Sequence, residues 1–208
     1  DFFVYTSYGK YKGEKVPANG MYLLTNEGAL LVDSPWDTTQ FQPLLDSINR
    51  RHHQKVILCI ATHFHEDRSA GLEYYRQQGI KTYTTVHTDE WSKKRGMKRA
   101  EYLIQQYTAF KIGQYSFETY FPGPGHSPDN IVLWFKNEKV LYGGCLIKSA
   151  DDTSLGNLSD ARIQEYSNTL SNVKKKCGAA QYIIPGHNDW TDNNSLKHSL
   201  KMAKKLNK

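Results

Sequence analysis

The sequence lacks several features that would place it in other protein classes. It has no apolar run of about eighteen residues or more, which excludes a transmembrane helix. It has only three cysteines, and this odd number excludes a full disulfide framework. No proline- or serine-rich linker divides it, and no Gly-x-Ser-x-Gly motif marks a serine nucleophile. What is present, 38% hydrophobic residues in 208 with 12% aromatics, indicates a globular protein with a buried core.

The charge balance favours an anionic partner. The chain carries 27 Lys and Arg against 21 Asp and Glu, a formal net charge of +6. Nucleic acid would require basic residues gathered on one face together with a recognition motif, and the sequence shows no such motif. We therefore expect neither nucleic acid nor a membrane as partner, and a small anionic molecule is sufficient to explain the basic charge.

The N-terminal residue is Asp1 rather than methionine, and a strand-like run, Phe2–Tyr5, follows directly. Either an N-terminal segment was removed or the sequence was trimmed. A cleaved secretory signal would account for the first case.

The three cysteines differ in their surroundings. Cys59 lies inside an apolar run, and Cys177 continues a helical stripe, so each is interpreted as a small buried hydrophobic residue. Cys145, which follows two glycines, is left as the thiol with another task.

The secondary structure predicted from periodicity and turn residues is mixed. Short β-branched and aromatic runs predict strands near 2–7, 21–25, 29–33, 55–61, 81–85, 109–112, 115–121, 130–135, 139–143 and 181–184. Apolar spacing of 3.6 residues predicts helices after Asp37 with Gln40 completing a capping box, over 71–78, over about 160–177 with Gly178 as its C′ residue, and from Ser195. We expect an α+β fold, a four-layer αββα sandwich, in a single domain over residues 1–208.

Turn residues join several strands into hairpins, at Asn26–Gly28, Gly113-Gln114 and Asn137-Glu138. The segment Tyr8–Gly13 between the first strands holds two glycines and two aromatics. It is either an ordinary hairpin tip or a mobile flap.

The most informative segment is Thr62-His63-Phe64-His65-Glu66-Asp67, directly after the predicted strand 55–61. In extended backbone His63, His65 and Asp67 alternate with their neighbours, so the three side chains face one side. Imidazole and carboxylate groups suit zinc.

Three more potential ligands follow later strands, beside glycine or proline: His126, Cys145 and His187. Four strand ends thus supply six donors. Six donors are enough for two metal ions with three protein ligands each, which leaves coordination positions open as in catalytic rather than structural zinc sites.

The sequence resembles the metallo-β-lactamase superfamily, and within it the B1 subclass of zinc β-lactamases, over essentially the whole chain. The resemblance rests on His63-Phe64-His65-Glu66-Asp67-Arg68, Gly125-His126-Ser127-Pro128-Asp129-Asn130, Gly143-Gly144-Cys145-Leu146-Ile147-Lys148-Ser149, Leu155-Gly156-Asn157-Leu158 and Pro185-Gly186-His187. Relatives of the glyoxalase-II and RNA-processing type place a histidine at Arg68 and a bridging aspartate near Cys145. The subclass with one working zinc has asparagine at the place of His63, so the residues present here favour B1.

The resemblance implies two zinc ions per chain, the first held by His63, His65 and His126 and the second by Asp67, Cys145 and His187. It implies hydrolysis of the β-lactam amide bond by a metal-bound hydroxide, with Asp67 orienting the nucleophile and no acyl-enzyme. It further implies antibiotic resistance, a periplasmic location and a monomer.

Four other residues have a role by the same resemblance. Lys148 pairs with the carboxylate of β-lactams, and Asn157 donates near the lactam carbonyl and is otherwise a turn residue. Arg68 and Asp33 orient ligands and balance charge around the metal. A fifth residue, Trp36, stays open: it either lines the cleft or is a core aromatic.

Two alternatives stay open from the sequence. The first is another dizinc hydrolase of the same fold that acts on a thioester or a phosphodiester. The second is a non-catalytic protein that buffers or senses zinc, which would not keep an open coordination position.

Overall fold

The computed structural model describes residues 1–206, which form two compact units. One comprises Asp1–Gln105 with Lys111–Tyr115, and the other Gln106–Phe110 with the chain from Ser116 onward. The prediction that residues 1–208 form a single domain stays a prediction. Two β-sheets with flanking helices confirm the mixed α+β class.

The first sheet has six strands in the order of the chain: β1 Phe2–Tyr11, β2 Glu14–Thr25, β3 Gly28–Val32, β4 Val56–Ile60, β5 Lys81–Thr85 and β6 Tyr102–Ile104. β1, β2 and β3 pair antiparallel, whereas β3, β4, β5 and β6 run parallel. The connections between parallel strands carry helices: α1 Phe41–His52, α2 Glu66–Ser69, α3 Leu72–Gln77 and α4 Val86–Arg95. Parallel pairing brings the carboxyl ends of β3, β4 and β5 to one edge of the sheet. Asp33 follows β3 there, the histidine-rich loop follows β4, and α4 follows β5.

The second sheet has five strands in the order β11-β10-β9-β8-β7. Their bounds are β7 Tyr107–Ile112, β8 Tyr115–Tyr120, β9 Val132–Phe135, β10 Val140–Gly144 and β11 Tyr182–Pro185. Two helices belong to this unit, α5 Ile163–Cys177 and α6 Ser195–Leu206. β10 and β11 pair parallel, so the residues after both strands meet at one edge.

Each unit has its own apolar core. In the first, Phe41 and Ile48 of α1 pack with Leu31 and Cys59 of the sheet. In the second, Tyr166 and Leu170 of α5 pack with Leu141 of β10. The side chains that carry the 3.6-residue pattern are the ones buried, which is why these helices were predictable.

The predicted strands and helices are all present, most of them with shifted ends, and the details predicted at two helix ends are wrong. β1 and β2 extend to a two-residue tip, Lys12-Gly13, with left-handed φ of 52° and 87°, so most of Tyr8–Gly13 is strand rather than loop. The predicted capping box at Asp37 is wrong in part. Asp37 accepts the backbone N–H of Thr39 at 2.8 Å, but the Gln40 amide bonds the backbone of Tyr8 instead. Gly178 has φ −63°, a right-handed rather than a left-handed terminus.

Three elements were not predicted: β6, α2 and α4. α4 buries Thr88, Asp89 and Ser92, so its inward face has no apolar period to detect. Within residues 1–206, none of the helices has the length and apolar content needed to cross a bilayer.

Candidate metal centre

His63 and His65 follow the carboxyl end of β4 on the edge where the parallel strands end. His63 Nε2 and His65 Nδ1 lie 3.0 Å apart, and His63 is 1% exposed. Two nitrogens about 2.0–2.1 Å from one tetrahedral zinc would be separated by about 3.3 Å. The nitrogens therefore converge at a spacing that fits one ion.

Asp67 joins these two histidines, although not in the predicted way. The ligand atoms of His63, His65 and Asp67 all lie within 4.8 Å of one another. The sequence argument assumed extended backbone through Asp67, but Asp67 lies in the first turn of α2. The extended prediction is wrong because the chain turns after His65, and this turn brings the carboxylate back toward the imidazoles.

A buried ion network holds Asp67. Arg68 is 1% exposed, and its guanidinium lies 3.0 Å from an Asp67 carboxylate oxygen and 3.6 Å from an Asp33 oxygen. It also donates to the backbone carbonyl of Asn19 at 2.5 Å. Each buried charge in this group has an opposite charge beside it, which is what makes burial of the three tolerable.

Asp33 links this network to the histidine loop. Its carboxylate accepts the backbone N–H of Thr62 at 2.7 Å and the Thr62 hydroxyl at 3.0 Å, directly before His63. Its own backbone is left-handed, with φ of 63°. Asp33 thus holds the backbone that follows β4. The roles of Arg68 and Asp33 in orienting ligands stay a prediction.

In the second unit, His126 lies in a tight loop after β8. The Ser127 backbone N–H donates to the Asn130 side chain at 3.0 Å, and Asn130 donates to the Gly123 carbonyl at 3.0 Å. A Cβ at Gly125 would lie 2.6 Å from the Leu146 side chain and 3.1 Å from the Tyr166 ring, so a larger residue would force these side chains to move. His126 is consequently held on a closed, well-bonded loop and is 5% exposed.

Cys145 and His187 follow the neighbouring parallel strands β10 and β11. The Cys145 Sγ and His187 Nε2 lie 3.3 Å apart, close to the separation of about 3.6 Å for a thiolate and an imidazole on one tetrahedral zinc. The Gly186 N–H donates to the Gly144 carbonyl at 2.8 Å, which joins the two strand ends. Within residues 1–206, none of the three cysteines forms a disulfide.

Lys148 and the Asn157 loop also lie together. A Cβ built at Gly156 would lie 3.7 Å from the Lys148 Nζ, and Lys148 is 5% exposed. The Asn157 side-chain oxygen accepts the Ser159 N–H at 3.1 Å, a hydrogen bond that does not use the amide NH2. The structure therefore brings the predicted cation close to the loop of the predicted carbonyl donor.

Tyr166 supports the backbone between Cys145 and Lys148. Its hydroxyl donates to the Leu146 carbonyl at 3.0 Å. Burial, and to a smaller degree the nearby Cys145, raises the pKa of the Tyr166 phenol well above its usual value. The hydroxyl therefore stays protonated at neutral pH and remains a donor.

Trp36 is half-buried rather than a core residue. Its indole ring packs directly over Gly9. A Cβ built at Gly9 would lie only 2.2 Å from the nearest atom of this ring. Only glycine at position 9 allows this contact, which ties the indole to strand β1.

The donors present fit zinc. Neutral imidazoles, a thiol and a carboxylate are the ligands that zinc takes in proteins, and magnesium or calcium would require oxygen ligands alone. The close approach of His63 to His65 in one unit, and of Cys145 to His187 in the other, agrees with this chemistry.

Comparison with known proteins decides the family. The profile of the metallo-β-lactamase superfamily matches residues 14–197. The chain belongs to the metallo-β-lactamase superfamily. A metallo-β-lactamase type 2 from Elizabethkingia meningoseptica is 42% identical over 200 residues, which cover 96% of this chain and 80% of that protein. Metallo-β-lactamase IND-1 from Chryseobacterium indologenes is 39% identical over 202 residues, which cover 97% of this chain and 84% of that protein.

Solved metallo-β-lactamases share the fold. The crystal structure of metallo-β-lactamase IND-7 superposes with a TM-score of 0.94 at 39% identity, over 100% of this chain and 94% of that one. A metallo-β-lactamase from Pontibacter korlensis has a TM-score of 0.93 at 32% identity, over 98% and 94% of the two chains. The predicted metallo-β-lactamase fold is confirmed, and a superfamily member with this donor set binds metal.

One group beside the metallo-β-lactamase histidines was missed by the sequence argument. Trp91 of α4 stacks on Phe64, with ring centroids 5.8 Å apart and an interplanar angle of 22°. The signals available were Thr85, an N-cap whose hydroxyl accepts the Thr88 N–H at 2.9 Å, and Gly96, a left-handed C-cap. Without an apolar period between them, these two caps did not suffice to predict the helix.

Proposed function

We propose that this protein is a zinc-dependent β-lactamase of subclass B1. It hydrolyses the amide bond of penicillins, cephalosporins and carbapenems and thereby confers antibiotic resistance. The observation that carries the proposal is the convergence of the His63, His65 and Asp67 ligand atoms within 4.8 Å at one strand end. The relatives named metallo-β-lactamase, with 39–42% identity over nearly the whole chain, support the same activity.

Two zinc ions complete the proposed site. His63, His65 and His126 would hold the first ion, and Asp67, Cys145 and His187 the second. The spacing within the His63–His65 pair and within the Cys145–His187 pair supports this assignment. With three protein ligands each, both ions keep room for water and substrate.

Bound zinc supplies an activated water with a pKa near 7 and a Lewis acid that polarises the lactam carbonyl. The chain's own groups orient the reactants. The Asp67 carboxylate accepts a hydrogen bond from the attacking water and directs it at the carbonyl carbon. The Arg68 guanidinium, 3.0 Å away, holds that carboxylate in place and favours its charged form.

Lys148 and Asn157 bind the substrate. The Lys148 ammonium pairs with the carboxylate of the antibiotic, and its burial keeps this pair poorly screened by salt. The Asn157 amide NH2 donates to the lactam carbonyl as negative charge develops on the oxygen. The distance of 3.7 Å between the Lys148 Nζ and a Cβ at Gly156 supports a common binding surface for both residues.

Two positions support the proposed subclass. A histidine at position 63 and a cysteine at position 145 fit B1, whereas asparagine at the first or aspartate at the second would indicate other groups. We also propose that the enzyme is a monomer exported to the periplasm. Light scattering and cell fractionation test these two statements directly.

The deciding experiment measures hydrolysis of a chromogenic cephalosporin by the purified protein, with chelator and after zinc is restored. We expect chelation to abolish the activity and zinc to recover it. His65→Asn should lose both zinc and activity, whereas His53→Asn, a matched change at an exposed histidine outside the site, should retain both.

Three results would overturn the proposal. Full activity of a metal-free preparation would show that the mechanism is wrong. Turnover of a thioester or a phosphodiester with no turnover of any β-lactam would identify a different hydrolase of this fold. Zinc binding without any turnover would identify a protein that buffers or senses the metal.

A further inference from the structure

Phe64, which separates the two histidines in sequence, is 1% exposed and packs edge-on against His65. The ring centroids of Phe64 and His65 lie 4.4 Å apart at an interplanar angle of 69°. His65 also meets His63 edge-on at 4.7 Å. The imidazole of His65 is thus held on two sides by rings, one of which is purely apolar.

Trp91 covers Phe64 from helix α4. Its indole stacks on the Phe64 ring, and its Nε1–H donates to His87 Nε2 at 3.2 Å, one turn earlier in the same helix. Lys94 lies 4.6 Å and Arg95 5.8 Å from the indole centroid. These contacts fix the indole plane from α4, so a ring on a separate helix determines where Phe64 can lie.

We infer that Trp91 is a positioning residue for the metal ligand His65 and acts through Phe64. The inference deepens the proposed function and rests on its metal site. A metal site requires its ligands to be held within a fraction of an ångström, and the groups behind the ligands supply that constraint. Most histidine ligands are oriented by a hydrogen bond. For His65, the packed rings of Phe64 and Trp91 provide an apolar constraint.

The test compares three variants by zinc affinity, measured by competition with a chromophoric chelator. Trp91→Leu keeps an apolar, helix-forming residue but removes the ring, and Trp91→Phe keeps a ring. Tyr102→Leu is the matched control, because it removes a ring from a different stacked pair, Tyr102 on Tyr83, whose centroids lie 5.0 Å apart at an interplanar angle of 24°.

We expect Trp91→Leu to bind zinc about three- to tenfold more weakly, in line with the loss of one aromatic pair. Trp91→Phe should stay near wild type, and Tyr102→Leu should not change the affinity. The visible absorption of the Co²⁺-loaded protein, which reports ligand geometry, should shift in Trp91→Leu only. A general loss of stability would not produce this pattern.

Specific outcomes overturn the inference. Wild-type zinc affinity and an unchanged Co²⁺ spectrum in Trp91→Leu would show that the stack does not position His65. Equal losses in Trp91→Phe and Trp91→Leu would show that ring stacking is not the cause. If Trp91→Leu does not fold, Trp91→Met provides the same comparison. Failure of the wild-type protein itself to bind zinc would instead refute the proposed function.

Discussion

Replacement of Arg68 by alanine tests the buried ion network beside the candidate metal ligands. The guanidinium contacts Asp67 at 3.0 Å, Asp33 at 3.6 Å and the Asn19 carbonyl at 2.5 Å, and all of these groups are nearly or fully buried. Removal of one partner from a buried pair costs about 3–5 kcal/mol, because the remaining charge is left uncompensated. Asp33 keeps two hydrogen bonds from Thr62, so we expect a value near the lower limit, about 3 kcal/mol.

The assay is urea unfolding of the metal-free protein in the presence of chelator. With an m value of about 2 kcal/mol/M, a loss of about 3 kcal/mol lowers the midpoint by about 1.5 M urea. Arg76→Ala, at an exposed arginine on α3, is the control and should shift the free energy of unfolding by less than about 0.5 kcal/mol.

A second mutation separates the ion pair from the loss of packing. In Asp33→Asn combined with Arg68→Ala, the loss should be smaller than the sum of the two single losses, because one of the charges stranded by the Arg68 change is also removed. The reasoning is refuted if the midpoint of Arg68→Ala stays within about 0.3 M of wild type. Strict additivity of the two single changes would show that the pair itself contributes nothing.

Three further predictions concern single residues. Lys148→Ala should lose about ten- to a hundredfold in kcat/KM toward carboxylated β-lactams, mainly through KM, with unchanged zinc content and partial recovery in Lys148→Arg; steady-state kinetics at the wild-type rate would contradict this. Cys145→Ser should reduce the metal content from about two equivalents to about one, since thiolate is the softest ligand of the second ion, and elemental analysis showing no change would refute the assignment. Burial raises the pKa of Cys177 to about 12, so the thiol is protonated at pH 8 and a thiol reagent should modify it only in denaturant. Mass spectrometry that detects fast modification of Cys177 in the native protein would contradict this burial.

Local patterns predicted much of the framework. β4 and β5 are continuous short runs between turn residues, and α1 and α5 show their apolar period because one face is buried in a core. The candidate zinc donors were selected by residue type and position, because imidazoles and a carboxylate at a strand end are rare by chance. Candidate ligands can thus be recognised from residue type and from neighbours along the chain.

Contacts between residues far apart in the sequence decided the features that local patterns did not predict. Asp67 reaches the histidines only because the chain turns into α2 there, and local spacing had placed it on extended backbone. The Gln40 side chain does not form the predicted capping box, because it bonds both the N–H and the carbonyl of Tyr8 on the edge strand β1.

The sequence by itself determined which residues offer donor atoms that suit zinc, because donor chemistry belongs to the side chain and its neighbours along the chain. Only the tertiary structure decided how those side chains are held. Arg68 is joined to Asn19, 49 positions away, and Phe64 is covered by Trp91 from a helix whose buried face is polar and therefore carries no periodic signal. Such contacts depend on how strands and helices pack, and neither residue type nor spacing encodes them locally.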